Sequence, residues 1–306
     1  MKRITRREFL KFGVGAIGFY FLPRTIFTHE KKGSTKSVIS VARGDPSKLV
    51  QTALLGLGGI DKFIKAQDRV LIKPNLSFSA NNKFGTTTSP EILTQVVKLC
   101  FDAGAKKIII CDHTIADPKV CKKKTGVESA ILNKKRVTIF FPNQRRQYIE
   151  TEIPGAQELK KTEVAKVLQK VDKIINLPTA KSHSVTGVSL GLKNLMGLIW
   201  NRGYLHRLNL HQAIAELSLI IKPDLTIVDA TRVLTSGGPG GPGKTRVLNT
   251  VVAGTDPVAV DSYTVGISSW YDKSFRGKNV KHIVAAAKIG LGKLDAEEMQ
   301  VVELKA

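Results

Sequence analysis

The chain has 306 residues, of which 42% are hydrophobic, a composition that excludes a disordered tail and allows a domain with a sizeable core. Lys and Arg number 48 against 25 Asp and Glu, giving a net charge of +23. Such a charge favours anionic partners: nucleic acid, lipid headgroups, or a ligand with a phosphate or carboxylate group. The basic residues are scattered without aromatic interleaving, so we expect no nucleic acid partner and retain membrane-surface association as an alternative to a simply solvated surface.

The chain begins with an export signal. The run TRREFLK at residues 5–11 matches the twin-arginine pattern, and a short apolar stretch follows at residues 12–22. That stretch is shorter than the roughly 20 residues of a spanning helix. We therefore assign residues 1–30 to a signal or anchor read by the twin-arginine translocase, and expect a periplasmic or other extracytoplasmic location. Cleavage stays open, since no clear A-x-A site follows.

Apolar runs alternate with helix-like segments beyond a linker at residues 31–37. Strands are predicted at residues 38–42, 69–73, 107–112, 137–141, 173–177, 225–229 and 247–253. Helices are predicted at residues 46–57, 90–103, 163–171, 212–221, 257–267 and 280–289. Several strand runs are continuous Val, Ile and Leu, as in strands covered on both faces. Residues 38–306 therefore form a single α/β domain, with two lobes as an alternative, built on a mostly parallel sheet with helices on both faces.

Polar residues recur where the predicted strands end. Lys73 and Asn75, then His113, then Asp229 follow three different strands. Ligands of such sheets bind beyond the carboxyl ends of the strands. Each residue alone could be a solvated strand end or a turn cap, but together they indicate a common pocket.

The most informative segment is KSHSVTGVSLGLKNLMGLI at residues 181–199. Its glycines, Gly187 among them, interrupt any apolar helix face, which is costly unless the backbone must approach something closely. His183 can exchange protons near neutral pH, and Lys193 can hold an anion or form a covalent link. Ser189 and Asn194 lie beside that lysine and complete the predicted binding set. The alternative is a glycine-rich packing segment with polar surface residues.

Two further patterns have limited meaning. GPGGPGKT at residues 238–245 matches the phosphate-loop pattern, but a strand-like run follows it where a helix is required, so we reject nucleotide hydrolysis. Asp256 before Pro257 is typical of a helix N-cap, and Asp261 one turn later could be a buried acceptor facing the site. The three cysteines lack C-x-x-C spacing and are odd in number, which argues against a structural zinc site and a disulfide framework.

The runs KPNLSFS at 73–79, H-x3-G-x-S-x-G-x-K-N-x-x-G-L-I from His183, VDATRVLTSGGPGGPG at 228–243 and AGTDPVAVD at 253–261 resemble domain-of-unknown-function family 362. The resemblance covers about residues 38–290. Some members of that family carry ferredoxin-like cysteine clusters, which this chain lacks, so an iron–sulfur role does not transfer.

The segment from His183 to Lys193 is also similar to one in the nickel-pincer lactate racemases. That resemblance implies acid/base work for His183, with His113 as a second acid/base group, and cofactor or anion binding by Lys193. It also makes His206 and His211 candidates for a metal ligand. The sequence departs from the racemase pattern at Leu190 and just after the lysine, which weakens the implication of a nickel cofactor and leaves the cofactor unknown.

The sequence therefore predicts an exported α/β protein that binds a small anionic ligand or cofactor. One version is a racemase- or epimerase-like enzyme that moves a proton next to a carboxylate, with His113 and His183 on opposite faces of the substrate. The other is a non-catalytic carrier or scaffold at the outer face of the membrane, which uses the same pocket only to hold its ligand.

Overall fold

A computed structural model describes residues 36–131 and 133–306. The predicted twin-arginine segment at residues 1–30 and most of the predicted linker lie outside the described residues. In the described part of the chain, no helix combines the length and apolar character needed to cross a membrane.

The fold is built on one large sheet. Its strands are β1 (Ser37–Arg43), β2 (Arg69–Pro74), β3 (Lys107–Cys111), β4 (Val137–Phe140), β7 (Lys173–Leu177), β8 (Thr179–His183), β9 (Gly187–Ser189), β10 (Leu225–Leu234), β11 (Thr245–Gly254) and β14 (Met299–Lys305). Two small antiparallel ribbons lie apart from it: β5 (Tyr148–Glu152) with β6 (Lys161–Ala165), and β12 (Ser269–Trp270) with β13 (Lys273–Ser274).

Most neighbouring strands of the large sheet are parallel. The main path runs β14-β1-β11-β10-β7-β2-β3-β4, and β8 pairs with the far half of β10 and with β9. β11 is antiparallel to both of its neighbours, and β9 is antiparallel to β8. The other pairs are parallel, which confirms the predicted mostly parallel α/β sheet.

Helices cover both faces of this sheet. They are α1 (Leu49–Leu55), α2 (Pro90–Asp102), α3 (Pro118–Lys124), α4 (Gly191–Asn194), α5 (Arg202–Leu205), α6 (Leu210–Leu217), α7 (Pro257–Val265) and α8 (Lys281–Lys288). Alternate residues of β2 enter different cores: Val70 and Ile72 pack with α1 and α2, whereas Leu71 belongs to the core that contains α6, α7 and α8. The two apolar faces explain why these strand sequences are continuously hydrophobic.

Each of the seven predicted strands is present, and five of the six predicted helices are present. The exception is residues 163–171, where the structure has β6 followed by a 3₁₀ helix, Lys166–Lys170. Pairing with β5 decides this segment. This pairing is a contact between two separate segments of the chain. It leaves no helical or strand period in residues 163–171 that is long enough to read from the sequence. As expected, the run that matches the phosphate loop leads into a strand, β11, which begins at Thr245. Asp256 caps α7, also as expected, by accepting the N–H groups of Val258 and Ala259.

Candidate functional site

A cavity of about 370 Å³ opens at the carboxyl ends of β2 and β3. Its walls come from the loops after these strands, the β8–β9 hairpin, α4 with the turn that follows it, and α5. The volume falls within the range of ligand pockets. Two larger cavities, of about 520 and 430 Å³, open elsewhere on the described surface. The 370 Å³ cavity is the one at the predicted strand ends, where ligands of parallel sheets bind.

A buried ion pair lies at the base of the cavity. Lys73 Nζ is 3.0 Å from Asp112 Oδ1, and both side chains are almost completely buried. The second carboxylate oxygen of Asp112 accepts the N–H of Leu76 at 2.7 Å. Burial lowers the pKa of Lys73, and the Asp112 charge acts in the opposite direction. The pair joins the ends of two neighbouring strands and has no net charge.

Asn194, at the end of α4, connects this base to the sheet. Its amide nitrogen donates to Lys73 O at 2.9 Å and to Asn176 Oδ1 at 2.8 Å. Its amide oxygen accepts from Lys73 Nζ and from Asn75 Nδ2, both at 3.2 Å. Asn194 lines the cavity, but these four bonds use the hydrogen-bonding capacity of its amide. Its role in this geometry is to position the lysine and asparagine around it.

Asp261 is hydrogen-bonded to the backbone at the start of α4. Its two carboxylate oxygens accept the N–H groups of Gly191 at 2.7 Å and Leu192 at 2.9 Å. Burial raises the pKa of Asp261 to about 7, while these two N–H groups oppose the rise. A Cβ on Gly191 would lie 2.8 Å from Asp261 Oδ1. The predicted acceptor is therefore buried as expected, but it supports α4 and does not line the cavity.

The turn after α4 lies directly on the ion pair. A Cβ on Gly197 would approach Lys73 Cε to 2.5 Å and Nζ to 2.7 Å, closer than real side chains allow, and would also collide with Asp112. Only glycine fits at this position. The close approach that the glycine spacing of residues 181–199 predicted is an approach of backbone to this lysine and aspartate.

The cavity is lined by several basic side chains and by no Asp or Glu. Lys181 is the most buried of them. Its Nζ donates to Asn75 Oδ1 at 3.0 Å and to Thr86 O at 2.6 Å, and it lies 4.7 Å from the centroid of the Phe78 ring. Burial lowers the pKa of Lys181 to about 7, with the Asp112 charge acting in the opposite direction. All three partners of this ammonium group are neutral.

Lys193 and Arg202 supply two more charges. The closest polar partner of Lys193 Nζ is Met196 Sδ at 3.4 Å, and Arg202 donates to Thr114 O at 3.2 Å. Burial, helped by the Arg202 charge, lowers the pKa of Lys193 to about 8. Within residues 36–131 and 133–306, neither side chain forms an ion pair. The cavity wall thus carries positive charge that the described protein does not neutralise.

His183, the last residue of β8, faces the same cavity. Its Nδ1 accepts the backbone N–H groups of Val185 at 3.1 Å and Thr186 at 3.3 Å. Because those groups only donate, the neutral ring carries its hydrogen on Nε2 and offers a donor. Burial and the charges of Lys193 and Lys181 lower the pKa of His183 to about 3. The ring is therefore neutral at physiological pH.

His113 lies near this cavity without lining it. Its Nδ1 is 2.9 Å from Ile199 O, and its ring stacks on Trp200, with centroids 5.4 Å apart and planes 7° apart. Tyr148 lies on another side, 5.6 Å away. Burial lowers the pKa of His113. The structure does not place His113 opposite His183 across the cavity.

Of the other predicted ligand-binding residues, Ser189 lines the cavity, while Gly187 ends the β8–β9 turn with φ 78°. Asp229 lies elsewhere, fully buried. It accepts the N–H of Ser89 at 2.7 Å and that of Thr231 at 3.0 Å, which fixes the start of α2. Asp229 therefore joins the sheet to a helix away from the cavity.

The two histidines predicted as metal ligands do not share a site. His206 lines the 370 Å³ cavity, whereas His211 lines the cavity of about 430 Å³ between α6 and α8 and stacks on His282, with ring centroids 6.3 Å apart. Across the described residues, no group of three or more His, Cys, Asp or Glu side chains is placed to hold a metal ion.

A family model for a domain of unknown function, DUF362, matches residues 70–266. The chain belongs to this family. A relative, the thylakoid-associated protein sll1697 of Synechocystis sp., is 27% identical in an alignment of 220 residues that covers 69% of this chain and 66% of the relative. The lactate racemase apoprotein of Thermoanaerobacterium thermosaccharolyticum superposes with a TM-score of 0.49 at 12% identity, over 74% of this chain and 56% of that one. The chain thus spans about two thirds of the relative and about half of the racemase.

The DUF362 match contains every residue that lines the 370 Å³ cavity, from Asn75 to Pro239. The cavity is therefore part of the region that defines membership of the family.

Two of its cationic residues were missing from the predicted site. Lys181 lies two positions before His183 on β8, so the two side chains share a face of the strand. Arg202 lies four positions before His206, on one face of α5. Both spacings can be read from the sequence, but the predicted strand ends at residue 177 and no predicted helix includes residues 202–206, so neither period is applied there.

Proposed function

We propose that this DUF362 protein binds a small anionic ligand in the 370 Å³ cavity. The observation that carries the proposal is the charge of the lining: Lys181, Lys193 and Arg202 face one space, and no carboxylate lines it. Taking a cation out of water without a partner is costly, so such a cluster persists in a fold only where something else repays the cost. An anion with two or more oxygens would accept from all three side chains.

His183 fits the same role. With Nδ1 occupied by backbone donors, its Nε2–H is a fourth donor on a residue that lines the cavity, and the neutral ring adds no charge of its own. Met196, Phe78 and Ile115 supply apolar wall beside these donors. A few convergent polar groups in an otherwise apolar cleft are the usual composition of a small-molecule site.

Calorimetric titration with inorganic phosphate and with lactate tests this function. Lys193→Met should weaken binding of whichever anion binds by about 10- to 100-fold, since a charge-assisted hydrogen bond is lost. Lys170→Met removes the same charge from an exposed lysine distant from the cavity lining, and should change affinity less than twofold. Equal losses in both variants, or no binding of either anion, would refute the proposal.

Proton transfer next to a carboxylate is a second candidate, favoured by the pKa values of about 7 and 8 for Lys181 and Lys193. Groups that titrate near neutral pH in a cleft suit acid/base catalysis. The test is hydrogen–deuterium exchange at the lactate α-carbon in D₂O, followed by NMR. Exchange that Lys193→Met abolishes supports an enzyme; retention of binding in the wild type without any exchange supports a carrier. His183→Asn should keep binding in either case, and would lose exchange only if the predicted imidazole chemistry operates.

We also propose that the protein is exported by the twin-arginine route, on the strength of the TRREFLK run. Replacement of Arg6 and Arg7 by Lys should retain the full-length protein in the cytoplasm, which cell fractionation and immunoblotting would detect. Unchanged distribution between fractions would contradict the proposal. The name of the thylakoid-associated relative is consistent with a membrane-linked compartment.

A further inference from the structure

Beside its cations, the 370 Å³ cavity has an apolar side that a free inorganic anion would leave unused. Phe78, Met196, Pro239 and Ile115 all line it; Met196 is buried, whereas Ile115 is 64% exposed. This composition differs from that of a simple oxyanion pocket, in which apolar wall contributes nothing to affinity. The inference below rests on the proposed function and narrows the class of ligand.

Three segments of the cavity wall carry an exposed apolar side chain. Ile115 is 64% exposed, Val185 is 57% exposed and Tyr204 is 44% exposed. Each belongs to a segment that forms the cavity wall: Val185 follows His183 and Ser184, and Tyr204 follows Arg202 and Gly203. We call Ile115, Val185 and Tyr204 the apolar rim. Single exposed apolar residues are ordinary, but three on the segments that line one cationic cavity indicate a binding surface.

Two members of the apolar rim are held by backbone hydrogen bonds to residues of the cavity wall. The N–H of Ile115 donates to Ser77 O at 2.8 Å, and the N–H of Val185 donates to His183 Nδ1 at 3.1 Å. These bonds fix the backbone from which each exposed side chain projects. The backbone of these two residues is therefore already ordered. A ligand that contacts their side chains loses little conformational entropy on binding.

We propose that the ligand is an anionic amphiphile: its charged head lies among Lys181, Lys193 and Arg202, and its hydrocarbon chain leaves the cavity across the apolar rim. Charge complementarity selects the head, because the lining is cationic without a carboxylate. Size selects the path of the chain. A cavity of about 370 Å³ is at the small end of ligand pockets, so a long chain must extend beyond it, and the exposed surface it meets includes Ile115 and Val185.

A series of n-alkyl phosphates, from methyl to octyl, tests the proposal by calorimetry below their critical micelle concentrations. Each methylene that contacts the apolar rim should tighten binding by about two- to fourfold, so octyl phosphate should bind about a hundredfold or more tighter than methyl phosphate. Constant affinity along the series would overturn the inference while leaving the proposed anion site intact. Failure of every member to bind, methyl phosphate included, would overturn both.

Variants of the apolar rim locate the chain. Ile115→Ser and Val185→Ser should each weaken the binding of octyl phosphate by about three- to tenfold. Val185 does not line the cavity, so Val185→Ser should also leave the affinity for methyl phosphate unchanged. Leu55→Ser is the matched control, because Leu55 is also 64% exposed but lies on α1, away from the cavity lining. If the control loses as much affinity for octyl phosphate as the rim variants, the chain does not follow the rim.

A bilayer is the competing occupant of the same surface. Sedimentation with phosphatidylcholine vesicles that contain phosphatidate distinguishes it from a single amphiphile. Octyl phosphate should bind with its gain in affinity in the absence of vesicles. Co-sedimentation that Ile115→Ser abolishes, together with constant affinity along the alkyl series, would replace the proposed ligand by a membrane surface.

Discussion

Lys73, which is fully buried, and Lys193, which is partly buried, illustrate two uses of a lysine that is removed from water. Lys73 has a carboxylate 3.0 Å away, and its ammonium also donates to neighbouring oxygen atoms. Lys193 has a thioether sulfur as its closest polar partner. The charge of Lys73 is paired within the protein, and the ion pair joins two strands. The charge of Lys193 is not paired with a carboxylate among the described residues, and it is available to a ligand. Residue type does not separate these roles; the presence of a counter-charge does.

The largest effect on stability should come from breaking the Lys73–Asp112 ion pair. Asp112→Asn leaves the Lys73 ammonium buried without a carboxylate, and should lower the free energy of unfolding by about 3–5 kcal/mol. Urea denaturation followed by circular dichroism measures it. Asp102→Asn is the control, because the Lys98–Asp102 pair is exposed and should contribute less than about 1 kcal/mol. Similar losses in the two variants would show that Lys73 and Asp112 are not the buried pair described here.

The next effect comes from Gly197, whose backbone lies against Lys73 and Asp112. Gly197→Ala places a methyl group against Lys73 and Asp112, and overpacking of this kind costs about 1–3 kcal/mol. Gly290→Ala is an unsuitable control because of its positive φ, whereas Gly203→Ala has an open site at ordinary φ and should be close to neutral. Thermal unfolding of both variants makes the comparison. A fully stable Gly197→Ala protein would contradict the close approach of the turn to the ion pair.

A smaller effect on stability, of opposite sign, should follow from removing Lys193, the lysine without a paired carboxylate. Lys193→Met replaces a partly desolvated ammonium by an apolar side chain of similar length, and should raise the free energy of unfolding by about 1–3 kcal/mol at pH 7. The pKa of Lys193 in the folded state, about 8, is below its ordinary value. The unfolded chain therefore binds more protons between about pH 8 and 10.5, and stability should rise with pH in that window. Lys193→Met should lose this part of the rise; a variant that is less stable than the wild type would refute the contrast with Lys73.

The smallest effect is on the pH dependence of anion affinity. Protonated Lys181 and Lys193 attract the anion, so affinity should be highest below about pH 7 and fall as pH rises through about 7–8, by about tenfold per proton lost. The charges that face these groups are Lys73, Asp112 and Arg202, and a bound anion moves the fall to higher pH. Titrations of phosphate binding from pH 6 to 9, corrected for phosphate ionisation, measure it. A flat profile would mean that both lysines keep ordinary pKa values.

Local pattern was sufficient for the sheet and for part of the cavity. The apolar runs at residues 69–73, 107–112 and 173–177 identified three neighbouring strands, and the carboxyl-end rule then led to Lys73 and Asn75. The same rule selected His113, which follows β3 but turns towards Trp200, and Asp229, which lies within β10 because that strand continues to Leu234 and which binds the start of α2. The end of a strand fixes where a side chain starts and leaves open which neighbour it meets.

The sequence by itself determined the alternation of strands and helices, the excess of positive charge and the glycine spacing around His183 and Lys193, because these follow from local periods and from composition. The tertiary structure decided which cations are neutralised. Lys73 meets Asp112 only because β2 and β3 lie side by side, whereas β8, α4 and α5 bring Lys181, Lys193 and Arg202 to one cavity without a carboxylate. Ion pairing depends on distances of a few ångströms between residues far apart in sequence, and those distances exist only once the chain has folded.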